Sequence, residues 1–228
     1  MWYRNRNDEQ RVAWLQNRLA ALRPGDRILD AGAGELRNRP LCDHLKYVSQ
    51  DFCQYEGQGD GSGLQVGKWD TSRIDLQCDI TSIPEADASF DAILCSEVLE
   101  HVPQPERALD EFARLLKRGG KLILTAPFAS MVHMAPYHYC SGFSRYWYEH
   151  HLPARSFVIE ELTPNGDWFS VCHQELTRLG SVARRAGDWS WPLAYMLGAL
   201  GSMYFAVRGG RQTDDLACFG WHCIARKT

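Results

Sequence analysis

Acidic residues recur where a strand-like run gives way to a turn: Asp30 in "RILDAGAGE", Asp51 in "KYVSQDF", Asp79 in "RIDLQCDI", and Glu97 beside Ser96 in "FDAILCSEV". Asp51 follows Asp30 by 21 residues, about what a strand, turn and helix need before a carboxylate can reach a ribose diol and accept a hydrogen bond from each hydroxyl. Gly32 and Gly34 let backbone approach a ligand closely, because glycine has no Cβ and tolerates left-handed dihedrals. The third glycine of a dinucleotide fingerprint is replaced by Arg37, which weakens the case for a pyrophosphate, and no G-x-x-x-x-G-K-[ST] loop is present to grip a triphosphate. An adenosine-type, cationic ligand suits this acidic set. Taken singly, each aspartate could equally be capping the helix that follows it.

A second group of reactive side chains lies in "MVHMAPYHYCSGFSRYWYEHH", Met131 to His151. His133 and His138 are the candidate catalytic bases, since imidazole titrates near neutral pH. Tyr137, Tyr139, Tyr146 and Trp147 could stack on an acceptor or close the site to water, or simply fill the core. His101 in "EVLEHVP" follows Glu97 by four residues, so the two could share a helical face. Metal binding by His133, His138, His150 and His151 is not expected, because no carboxylate or cysteine pattern completes a recognised set.

These residues need elements to hold them. In "DEQRVAWLQNRLAALRPGD" Val12, Leu15, Leu19 and Leu22 recur at helical spacing, and Pro24-Gly25 stops the helix. Strands are expected from Arg27 to Asp30, over "KYVSQD", over "RIDLQCDI" and over "FDAILCSEV", whose apolar centre from Ala92 to Cys95 suits a strand covered on both faces. A short helix interrupted near Pro40 is expected from Leu36 to His44, whereas "YEGQGDGSGLQVGKWD", with five glycines, reads as a loop where a regular α/β unit has a helix. "PERALDEFARLLKRGG" begins with proline at a first helical position and is expected to run through Lys117 and Arg118 to the two glycines. "KLILTAP" is the fifth strand, and Phe128 to His151 an aromatic loop. The strand "FVIEEL", a helix from Trp168 to Arg185, an apolar segment and a last strand "CFGWHCIAR" complete the chain. Strands alternating with helices imply parallel pairing, with ligands beyond the carboxyl ends of the strands.

The chain has 228 residues, 45% of them apolar, enough for a full core, and a net charge of −3 gives no general field for nucleic acid. The eight cysteines stand singly, with no C-x-x-C pair, and "MWYRNRNDEQ" shows no signal peptide, so a reduced, cytoplasmic setting is expected. The 17 residues from Trp191 to Val207 carry no charge but fall short of the roughly 20 that span a bilayer. They read as a buried or capping helix in preference to a membrane contact.

In order along the chain, "ILDAGAGE", "YVSQDF", "CDITSIPEADASFDAILCSEVLEHV" and "ERALDEFARLLKRGGKLILTAPF" resemble the successive motifs of class I S-adenosylmethionine-dependent methyltransferases of the methyltransferase type 11 kind. The resemblance implies a Rossmann-like α/β fold. Its mostly parallel sheet of seven strands would have the order 3-2-1-4-5-7-6, strand seven antiparallel and helices on both faces. It implies a single domain over 1–228: an N-terminal helix in 1–26, a cofactor-binding core in 27–127, and the acceptor loop, last strands and apolar insertion in 128–228. By position, Asp30, Ala31, Gly32 and Gly34 would hold the methionine part of S-adenosylmethionine, and Asp51 the ribose hydroxyls. Phe52 would flank the adenine, Asp79 meet its amino group and Ile80 its ring, while Ser96 and Glu97 would line the pocket where cofactor meets acceptor. Two features depart from the pattern: Glu35 stands where many members have glycine, and the glycine-rich loop replaces a helix.

The expected activity is methyl transfer to a small molecule, on oxygen, with a sugar or lipid-linked glycan as one candidate acceptor because the loop after strand five resembles those of glycan-modifying methyltransferases. A non-catalytic S-adenosylmethionine-binding module is the alternative, and a nicotinamide-dependent oxidoreductase is opposed by Arg37.

Overall fold

A computed structural model describes residues 6–208, 210 and 212–228. It contains one sheet of seven strands in the order β3-β2-β1-β4-β5-β7-β6, with β7 antiparallel. The strands are β1 (Arg27–Ala31), β2 (Lys46–Asp51), β3 (Leu76–Gln77), β4 (Phe90–Ser96), β5 (Leu116–Pro127), β6 (Phe157–Asn165) and β7 (Gly220–Lys227). The helices are α1 (Arg6–Ala20), α2 (Pro105–Leu115), α3 (Arg145–His151), α4 (Trp168–Arg185) and α5 (Trp191–Ala206). The central strands are apolar at their middles because both their faces are covered: Ile28, Leu29, Ala92, Ile93 and Leu94 are all fully buried. Leu15 and Leu19 of α1 pack into this core against Ile28, Leu94 and Ile123.

The chain divides into two compact units. One comprises residues 13–163 and 221–228, the other 1–12 and 164–220. All the expected site residues belong to the first.

Four expectations on local structure need correction. Leu36 to His44 forms turns and one 3-10 turn, Arg39–Cys42, with Pro40 near its start. The third strand is reduced to Leu76–Gln77. Helix α2 stops at Leu115, short of the glycines, because Leu116 pairs with Phe90 in the sheet and Lys117 reaches the Asp91 carboxylate at 2.6 Å; cross-strand pairing outweighs the helical periodicity. Residues 145–151, expected within the aromatic loop, form α3, where Trp147 packs on Phe143 with ring centroids 4.6 Å apart.

In the second unit α4 and α5 form a hairpin. Their contact is made through small residues: a Cβ on Gly198 would stand 2.4 Å from the Leu176 carbonyl oxygen, and one on Gly180 would meet the Tyr195 ring. Only Gly198 and Ser202 of α5 are buried, while Leu200 is 60% and Met203 69% exposed, so of the buried or capping helix expected, the buried alternative does not hold. Apolar all round, it turns its small residues inward and leaves its large ones outside. Among the described residues no helix is long and apolar enough to cross a membrane. All eight cysteines are free thiols.

Candidate functional site

The ends of β1 and β2 are tied together through the glycine turn. The amides of Gly32 and Ala33 donate to the Gln50 carbonyl at 2.9 and 2.8 Å. Gly34 then donates its amide to the Asp51 carboxylate at 3.0 Å, and Cys53 donates to the other oxygen at 2.8 Å. Gly34 sits in the left-handed region at φ +52, and a Cβ there would stand 2.5 Å from the Trp69 ring. Burial raises the Asp51 carboxyl above its ordinary range, while backbone donors at Cys53, Gly34 and Phe52 pull it back down. A buried carboxylate held beside a turn with two glycines fits a ligand that offers hydroxyls, as an adenosyl group does.

Asp30, expected against the cofactor, is 1% exposed and accepts the Tyr47 hydroxyl at 2.6 Å. Burial lifts its pKa to about 6, with Tyr47 and Asn38 opposing the shift. Ala31 closes β1 and is fully buried. Asp79 is exposed and accepts both the amide and hydroxyl of Thr81, at 2.8 and 2.7 Å, while Ile80 beside it is buried. Ser96 shares a hydrogen bond with Thr125 at 2.8 Å, and the Thr125 hydroxyl also stands 3.0 Å from the Glu97 carboxylate. Glu97 has φ +56, an uncommon conformation for a residue with a Cβ, and strain of this kind collects at functional sites. That turn breaks the helical face expected for Glu97 and His101: Leu99–His101 is a separate 3-10 turn.

Phe52 meets Tyr137 edge to face, with centroids 5.0 Å apart. The Tyr137 carbonyl accepts the Nδ1 proton of His101 at 2.6 Å, and the Met131 carbonyl that of His133 at 2.9 Å. A carbonyl can only accept, so both rings carry a proton on Nδ1, which in the neutral ring leaves the lone pair on Nε2. His138 completes a cluster with them: its centroid is 4.9 Å from that of His133 and 6.0 Å from that of His101. Its two ring nitrogens are shielded from solvent and have no hydrogen-bond partner. Burial, with the neighbouring histidines, lowers the pKa of His101 to about 4, and burial also lowers that of His138. The structure thus brings His133 and His138 together as a pair and adds His101. Among the described residues His150 and His151 are not part of the cluster; they sit at the end of α3. Sequence gave one hint of His101, its place after Ser96 and Glu97, and none of its partner at Tyr137.

The glycine-rich loop explains its own composition. Leu64 donates its amide to Val132 and accepts that of Met134, each at 2.9 Å, so the loop pairs with the backbone carrying His133. A Cβ on Gly59 would collide with the Ala135 carbonyl oxygen and one on Gly63 would stand 2.4 Å from that of Val132. Glu35, where many members have glycine, lies 3.4 Å from the Asp70 amide at the far end of the same loop. Of the aromatics, Tyr139 and Tyr146 are exposed, and Trp147 is engaged with Phe143.

A family model described as a methyltransferase domain matches residues 29–124. The demethylmenaquinone methyltransferase of Renibacterium salmoninarum is 39% identical over 104 residues, 44% of this chain and 41% of the relative. The ubiquinone biosynthesis O-methyltransferase of Xanthomonas oryzae pv. oryzae is 56% identical over 41 residues, 18% of this chain and 17% of that one. The chain therefore spans about two fifths or less of the length of these curated relatives. Among solved structures, the YcgJ protein of Bacillus subtilis matches with a TM-score of 0.58 at 16% identity, covering 96% of this chain and 98% of that one. Phosphoethanolamine N-methyltransferase 2 of Haemonchus contortus, solved with S-adenosyl-L-methionine, matches with a TM-score of 0.54 at 15% identity, covering 96% and 52%. At such identity these two speak for the fold alone.

Proposed function

We propose that this chain is a class I S-adenosylmethionine-dependent methyltransferase, as the match over residues 29–124 supports, and that it moves a methyl group onto the hydroxyl oxygen of a small aromatic acceptor. S-adenosylmethionine supplies the methyl on a sulfonium sulfur and is left as the thioether. Asp51 takes the ribose hydroxyls, Phe52 and Ile80 enclose the adenine, and Asp79 receives its amino group. Ala31, Gly32 and Gly34 hold the methionine part, with Asp30 fixing the strand end from inside. Ser96 and Glu97 stand between cofactor and acceptor, and His133 and His138 face the acceptor, where one of them takes its proton. Residues 1–228 act as one methyltransferase domain.

The observation that carries it is the link from Phe52 through Tyr137 to His101. Ring contact at 5.0 Å and a hydrogen bond of 2.6 Å join the cofactor side to the histidine cluster within one compact unit. A phenolic or quinol acceptor is favoured because one matched relative is named a ubiquinone biosynthesis O-methyltransferase and another a demethylmenaquinone methyltransferase. A sugar or lipid-linked glycan has only the likeness of one loop behind it.

The test is a screen of catechols, hydroquinones and simple sugars with S-adenosylmethionine, following S-adenosylhomocysteine by chromatography. Turnover on a phenolic hydroxyl is expected, and His133→Ala lowers it while leaving cofactor affinity nearly unchanged. Cofactor binding with no turnover on any acceptor would instead mark a binding module.

A further inference from the structure

We infer that His101, His133 and His138 form a binding site for one divalent transition-metal ion, of the zinc class, on the acceptor side of the cofactor. Each histidine has one candidate ligand nitrogen, and all three lie within 4.8 Å of one another. Metal–imidazole bonds of about 2.0–2.1 Å place tetrahedral ligands roughly 3.3 Å apart, so the rings need only draw in around the ion. The backbone carbonyls of Tyr137 and Met131 hold Nδ1–H of His101 and His133 and leave Nε2 as the donor, the arrangement by which metal-binding histidines are commonly oriented. His138, with both nitrogens shielded from water and without a partner, gains one. The buried Glu100 carboxylate, 3.8 Å from His101 Nε2, adds negative charge beside the cation. Imidazole donors suit zinc, iron, nickel and copper better than magnesium or calcium. This departs from the expectation of no metal, which weighed His133 and His138 with His150 and His151 and left out His101.

The inference rests on the methyltransferase reading for its purpose. Three protein ligands leave one position open, as in catalytic zinc sites, and an acceptor hydroxyl entering it becomes more acidic. Its O–H bond breaks, the proton passes to water, and the oxygen keeps the electron pair that goes on to form the new bond to carbon. The histidines then act as ligands, and the cation, unchanged, does the work assigned above to a base.

The full chain, stripped with a chelator, is titrated with Co2+ and followed by visible absorption. Expected is saturable uptake of one equivalent, displaced by Zn2+, and weakened at least about tenfold by His101→Gln, His133→Gln or His138→Gln but not by His150→Gln. Absence of saturable uptake, or uptake insensitive to all three substitutions, overturns the site. Because a variant can fail to fold, imidazole 15N shifts of the unmutated protein provide a second measure: three rings must move on adding Zn2+, and a change confined to the His150 and His151 rings refutes the assignment. Calorimetry with S-adenosylmethionine separates the two proposals. Cobalt uptake without cofactor binding removes the methyltransferase purpose and keeps the metal site; cofactor binding and turnover without metal uptake does the reverse.

Discussion

Gly63 lies so close to Val132 that a Cβ on it would stand 2.4 Å from the Val132 carbonyl oxygen, one residue before His133. The glycine-rich loop is in this way a backbone support for the histidines. Gly63→Ala adds that collision to an unfavourable φ of +65, so the His133 segment must shift. Turnover is expected to fall on the order of tenfold or more, since small misplacements at a reacting centre are costly. Steady-state kinetics beside a cofactor titration check this, with kcat falling and cofactor affinity nearly kept.

Asp51 serves both fold and ligand, and two substitutions separate these roles. Asp51→Ala removes the acceptor for the Gly34 and Cys53 amides, an expected cost of about 1–3 kcal/mol in urea unfolding for each donor left unsatisfied. Asp51→Asn keeps part of that bonding but gives up the negative charge and one of the two acceptor oxygens. It should be the more stable of the two while still binding S-adenosylmethionine at least about tenfold more weakly than the unmutated chain.

Asp30 makes stability depend on pH. Its carboxyl ionises near 3.8 in the unfolded chain and near 6 when folded, because burial penalises the charge. The native state therefore binds the extra proton between these values, and stability falls as pH rises through that window, by roughly 3 kcal/mol in total, then levels off. Asp30→Asn retains an oxygen for the Tyr47 hydroxyl and should remove this slope. Urea midpoints across the window, compared between the two proteins, give the answer; an unchanged slope would assign it to another group.

The α4–α5 hairpin depends on its small residues. Gly198→Leu pushes a side chain onto the Leu176 carbonyl and should part the helices, whereas Leu200→Ala, at a 60% exposed position, should change stability by less than about 0.5 kcal/mol. Thermal melts of the two variants discriminate between a packed pair and two independent helices.

Much of the sheet was readable because short strand-like runs ending in a carboxylate carry their own signal: β2 was expected over "KYVSQD" and occupies Lys46–Asp51. Helix α4 likewise was expected from Trp168 to Arg185 and has those bounds. What could not be read depends on partners distant in sequence. The end of α2 is decided by the pairing of Leu116 with Phe90, and the exposure of α5 by which of its faces meets α4. The pairing of His133 with His138 was visible as a cluster in one loop, but His101 joins only because the Tyr137 carbonyl receives its Nδ1 proton. The glycines of the loop were visible too, and their purpose was not, since it lies in backbone contact with Val132 and Ala135.

The most direct test of the account is calorimetric titration of the purified chain, freed of carried-over ligand, with S-adenosylmethionine, S-adenosylhomocysteine and NAD. Micromolar binding of both adenosyl compounds with none of NAD, weakened at least about tenfold by Asp51→Asn, is the predicted result. If neither adenosyl compound binds, then Gly34, Asp51 and Phe52 are scaffold only, and the assignment of a methyl-transfer site to this end of the sheet is contradicted.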